Sequence, residues 1–240
     1  MTSLSLFQQF IAVCSSDRLD AYRVIGDNDI DVLTRYLWNA ALCESLYPAL
    51  HCLEIGLRNR LSESLAHSYG RTDWYEDPGV VLDFGSRQKV SAVKLLLKEE
   101  GKEITPSQVI AELSFGFWTT LISARYHKTI WERPGLLRAA FPLMPKPIRK
   151  RGILARRFGE ARKLRNRVFH YRPIWHRGVQ REHQNIVEAL SWLDPCLQSV
   201  LGVLDRFAIV CTDSFRLQIK DKLIRACPVE SRERTLRLSD

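Results

Sequence analysis

Arg165, Asn166 and His170 stand together in the run Arg165-Asn166-Arg167-Val168-Phe169-His170. Arginine offers a fixed, bidentate cationic fork that suits a carboxylate or another anion. Histidine gives and takes protons near neutral pH. Asparagine can hold an oxygen or orient a neighbouring ring. The chemistry this trio suits is proton transfer beside a bound anion. Asn166 and His170 are four residues apart and therefore share the flank of one helix. Pro173 disfavours helical geometry at Arg172, which places His170 in the last turn. There the helix dipole and the neighbouring arginines act in opposite senses on an imidazolium.

Two helices must position these groups. The spacing predicts one over 148–171, with Leu154, Phe158, Ala161, Leu164 and Val168 as its apolar stripe. Arg165 falls inside that stripe, within roughly 20° of Leu154 on a helical wheel. A guanidinium in such a place needs a carboxylate or an anionic ligand. A second helix is predicted over 48–69, striped by Leu50, Leu53, Leu57, Leu61 and Leu65. Glu54 interrupts it, roughly 40° from Leu50. The economical expectation is a Glu54–Arg165 pair that aims the guanidinium. A local Glu54–Arg58 pair is the alternative. Arg58 and Asn59 offer further phosphate contacts, and Arg162 and Arg167 stand beside the trio.

The rest of the chain reads as helical too. A helix over 30–46, with Leu33, Tyr36, Leu37, Ala40 and Ala41 inward, precedes the one opened by Pro48 and closed by Gly70. Residues 71–86 read as a loop holding Trp74 and Phe84 against the core. Helices follow over 87–100, from Thr105-Pro106 to Leu113, and through SFGFWTTLISARYHK. Four prolines make 133–147 a connector. Helices near 180–194, 195–209 and 213–226 complete the chain, and 227–240 reads as a frayed tail. Strand patterns and internal repeats are absent. The expectation is a single α-helical domain over 1–240, with its core at about 27–210.

Bulk properties narrow the partners. There are 36 Lys and Arg against 27 Asp and Glu, a formal charge of +9. That balance favours a polyanion, because neutralised phosphates release counterions. The six cysteines form no CxxC pair and no zinc spacing. They read as reduced, mostly core residues of a cytoplasmic protein. The first residues lack the marks of a secretory leader, and no apolar run approaches about 18 residues, so no membrane is expected. No metal or cofactor is expected.

The motif residues carry a resemblance. The run from Arg165 to His170 is similar to the R-N-x-x-x-H form of the HEPN motif. LEIGLRNRL (53–61) resembles the early E-x3-R-N helix of the Abi-like (abortive infection) branch. ELSFGFWTTL (112–121) resembles its FGxW segment, and RNRVFHYRPIW (165–175) its RNRxxHxxPIW block. The chain is thus similar to HEPN proteins of the Abi-like family over anchors from about residue 35 to 195. Tyr171 and Arg172 depart from many relatives, which bears on substrate preference.

The resemblance implies an all-α HEPN-type helical bundle with additional helices. It also implies a metal-independent endoribonuclease acting in antiviral defence, by abortive infection or as part of a toxin–antitoxin pair. It implies a homodimer with a composite active site, RNA as substrate, and an antitoxin or other regulatory partner. In that reading Arg165, Asn166 and His170 are catalytic. Glu54, Arg58, Asn59, Arg162, Arg167, Tyr171 and Arg172 support them or bind RNA. The alternative is a HEPN dimer that binds RNA or a partner without cutting. A DNA-binding reading rests on charge alone, and no helix-turn-helix signature supports it. His51, His67, His127, His176 and His183 read as structural or surface residues, and Trp118 as core.

Overall fold

A computed structural model describes residues 6–226. Every regular element among them is helical. In chain order the α-helices are α1 (Leu6–Cys14), α2 (Ser16–Asp20), α3 (Asp29–Tyr69), α4 (Phe84–Glu99), α5 (Pro106–Glu112) and α6 (Phe115–Leu121). Then come α7 (Leu136–Ala140), α8 (Arg151–Phe169), α9 (Val179–Leu193), α10 (Pro195–Leu204), α11 (Phe207–Val210) and α12 (Asp213–Ala226). The expected tail, 227–240, lies outside the described residues. No helix is long and apolar enough to cross a membrane among the described residues.

Local rules account for most boundaries. Thr105 Oγ1 accepts a hydrogen bond from Gln108 N (3.3 Å) with Pro106 behind it, so α5 starts where the Thr-Pro pair placed it. Asp83 caps α4 by accepting from Ser86 N at 2.9 Å. That cap starts the helix three residues ahead of the expected Arg87. Gly70 and Gly101, at φ +70° and +67°, follow α3 and α4 in the left-handed conformation that glycine adopts most cheaply.

Three expectations are corrected. Pro48 does not begin a helix; it lies inside the 41-residue α3. An interior proline costs about 3 kcal/mol. Here Leu42, Leu46, Ala49, Leu50 and Leu53 are all buried, so the apolar stripe runs through Pro48 unbroken and packing outweighs that cost. The segment SFGFWTTLISARYHK is not one helix. It divides into α6, a 3-10 turn at Ala124–Tyr126 and a π turn at His127–Trp131. Finally, Phe84, Leu37 and Ala40 are exposed rather than inward.

The chain forms two compact units. The first comprises residues up to Tyr47, Asn166–Gln180, and those from Asp205 onward. Phe7, Leu19, Tyr22, Val32 and Leu33 make its core, with Tyr36, Trp175 and Leu223 packed against them. Helices α1 and α2, which the sequence patterning did not mark, supply Phe7 and Leu19. Buried Asn39 ties this unit together. Its Oδ1 accepts from Ile174 N (2.6 Å) and Trp175 N (3.1 Å), and its Nδ2 donates to Tyr22 Oη (3.2 Å). Asn39→Ala would leave two inward amides without an acceptor. It should cost about 2 kcal/mol of stability, read as a lower denaturation midpoint at constant m-value.

The second unit comprises Pro48–Arg165 and Arg181–Leu204. Trp74, Phe117 and Trp118 are fully buried at its centre, with ring centroids 5.2–6.4 Å apart. Trp74 Nε1 donates to Ser62 Oγ at 3.1 Å and Trp118 Nε1 to Leu113 O at 3.0 Å, so both indoles are satisfied. The helices pack closely at Gly56, where a Cβ would come within 2.7 Å of Leu197 Cδ1 and 3.3 Å of Leu193 Cδ1.

Candidate active site

The pairing inferred from two interrupted stripes is present in the second unit. Leu50, Leu53, Leu57, Leu61 and Leu65 of α3 are buried, as are Leu154, Phe158, Ala161 and Leu164 of α8. Glu54 Oε2 lies 3.4 Å from Arg165 Nε, an atom shielded from solvent. Glu54 Oε1 accepts from Phe115 N at 3.0 Å. The carboxylate therefore bridges the guanidinium and the first amide of α6, where the helix end favours negative charge. The side chains of Arg165 and Glu54 keep 30% and 26% of their exposure. The pair thus sits at the rim of the core, and a ligand can reach the guanidinium from solvent.

This contact gives the FG segment a role that spacing alone did not reveal: it delivers the Phe115 amide to Glu54. The local alternative is not what the side chains adopt. Arg58 Nε donates to Asn59 Oδ1 (3.1 Å) and Arg58 Nη1 to Ala111 O (3.2 Å). Arg58 and Asn59, expected as phosphate contacts, are engaged with each other and with the end of α5.

Asn166 and His170 belong to the first unit. His170 N donates to Asn166 O at 3.0 Å, the last turn of the α8 ladder. Tyr171 N then donates to Val168 O (3.1 Å) and Arg172 N to Arg167 O (2.8 Å), the paired bonds of a Schellman motif. His170 is thus the residue that caps α8. Tyr171, at φ +54°, takes the left-handed position usually held by glycine. A non-glycine residue there costs about 1 kcal/mol. Tyr171→Gly should recover about that amount, measured as a raised thermal midpoint. A fall in the midpoint would mean that the tyrosine ring carries packing worth more than the strain.

The turn after His170 is braced within its own unit. Arg167 Nη2 donates to Pro173 O (2.7 Å) and Arg18 Nη2 to Tyr171 O (3.1 Å). Together with Asn39 they hold the Pro-Ile-Trp block in place. Arg167 is therefore occupied in shaping the turn. Asn166 and His170 are exposed, as are Tyr171 and Arg172, and neither the Asn166 nor the His170 side chain has a hydrogen bond or ion pair among the described residues. Phe169 and Tyr47, both partly exposed, pair at 5.8 Å.

Arg18, Asn39 and Tyr47 escaped the sequence reasoning. Asn39 had a signal, a polar residue inside the apolar run Trp38-Asn39-Ala40-Ala41-Leu42. Arg18 had none. Arg162 lines a cleft in the second unit with Ser123 and Thr120. Burial pushes the Cys43 thiol up to about 11, which disfavours its thiolate. No group of His, Cys, Asp or Glu suited to hold a metal ion is present among the described residues. No family model matches the chain, and neither does any curated protein or solved structure.

Proposed function

We propose that this chain is a metal-independent endoribonuclease of HEPN type, acting in phage defence. The observation that carries the reading is the organisation around α8. Its last turn presents Asn166 and a capping His170 with uncommitted, exposed side chains. One residue before Asn166, Arg165 is aimed by Glu54, itself anchored on the Phe115 amide. Three separated sequence blocks thereby serve one short stretch of helix.

In this reading the ribose 2′-OH attacks the adjacent phosphorus. A histidine takes the 2′-OH proton while the P–O5′ bond breaks, and a second histidine returns a proton to the leaving 5′-oxygen. The products are a 2′,3′-cyclic phosphate and a 5′-OH end. A homodimer would supply two copies of His170 for the two proton transfers. Arg165 stabilises the charge that develops on the phosphorane, and Asn166 holds a phosphate oxygen in line. An antitoxin or comparable partner would keep such an activity in check.

The test is incubation of purified protein with total and transfer RNA in the presence of EDTA. Cleavage with cyclic-phosphate ends is expected. Activity that disappears with EDTA would overturn the scheme, and tight RNA binding without cleavage would favour a non-catalytic binding module.

A further inference from the structure

A cleft of about 370 Å³ opens in the second unit. Three segments far apart in sequence line it: the start of α4 with Asp83, Ser86 and Lys89, the stretch Thr119–Arg125, and Ala155, Gly159 and Arg162 of α8. Its charge is uneven. Asp83 is already engaged: it accepts from Ser86 N (2.9 Å) and Tyr126 Oη (2.8 Å) and pairs with Arg125. Thr119 and Thr120 donate their hydroxyls to Gly116 O (3.3 and 2.7 Å). Lys89 and Arg162, by contrast, make no hydrogen bond or ion pair among the described residues. In the wall, the buried Ser123 Oγ has no hydrogen-bond partner.

Two cations without counter-charges facing one cleft call for an anion. The lining holds no aromatic ring, so nothing is provided for a base to stack on. Gly85 and Gly159 add open space, since a Cβ on either would meet nothing within 4 Å. Room, positive charge and the lack of a stacking surface suit the sugar-phosphate backbone. Arg162 also stands one turn before Arg165 on the same helix, about 5 Å along its axis.

We propose that this cleft holds a backbone phosphate of a single RNA strand, without reading its bases, while a neighbouring phosphate of that strand lies at Arg165. The inference rests on the ribonuclease reading for the role of Arg165; it adds Lys89 to the residues that hold the strand and gives Arg162 its place beside it.

The experiment is fluorescence anisotropy of a labelled, non-cleavable 2′-O-methyl RNA oligonucleotide against salt, using the full chain. Lys89→Gln and Arg162→Gln should each weaken binding about tenfold at low salt and reduce the salt slope by about 0.7. Changing the oligonucleotide sequence should alter neither effect. Lys98→Gln, at the far end of α4, should match the unmodified protein. If the unmodified protein binds but both cleft variants keep its affinity and slope, the inference is overturned, and cleavage that depends on His170 still upholds the ribonuclease reading. If inorganic pyrophosphate binds in a manner that depends on Arg162 while the oligonucleotide is indifferent to it, the cleft serves a small phosphorylated ligand and the inference falls. Failure of the unmodified protein to bind or cut any RNA would overturn both.

Discussion

Replacing His170 with alanine should lower RNA cleavage about a thousand-fold while leaving RNA affinity within about twofold of the unmodified protein. The expectation follows from position. His170 caps α8, is exposed, and holds no partner that its loss would orphan. Under the proposed function its removal takes away proton transfer and little else, and the melting temperature should stay unchanged. Single-turnover cleavage of a defined RNA, with anisotropy and thermal melting on the same samples, reads all three quantities. Equal loss of binding and cleavage would make His170 a docking residue. Full cleavage by the variant would place the chemistry elsewhere.

The second large effect is expected at Glu54. Its two oxygens serve Phe115 N and Arg165 Nε, so Glu54→Ala strips an acceptor from a helix end and a counter-charge from a half-buried guanidinium. The loss should be about 3 kcal/mol of stability and about a hundredfold in cleavage, because Arg165 is no longer aimed. Glu54→Gln separates the two contributions. Its amide oxygen can still accept from Phe115 N, so stability should fall by only about 1 kcal/mol, while the charge that orients Arg165 is lost. A double-mutant cycle with Arg165→Ala should give a coupling of about 1 kcal/mol or more. A coupling near zero would mean that Glu54 serves the α6 end alone.

The Glu54–Arg165 pair was legible because each residue broke an otherwise regular leucine stripe. A charge on a buried face demands a partner, and two such breaks of opposite sign answer each other. The anchoring of Glu54 on Phe115 was not legible. A backbone amide is present at every residue but proline, so only the folded path of the chain selects the one that meets the carboxylate. The same reason hid the engagement of Arg167 with Pro173 O and of Arg58 with Ala111 O. Side-chain type announced these arginines as phosphate ligands, whereas tertiary neighbours turned them into braces.

By itself the sequence determined the all-helical class, the stops of α3 and α4, the start of α5, and a place for His170 near the end of α8. These depend on residues a few positions apart: a Thr-Pro start, a Gly stop, a proline after the last turn. Only the tertiary structure decided that α3 runs on through Pro48, that the FGFW segment breaks after one short helix, and that Asn39 rather than Leu37 faces inward. Each of these trades a local preference of a few kcal/mol at most against burial summed over many distant side chains. That sum exists only once the chain has folded.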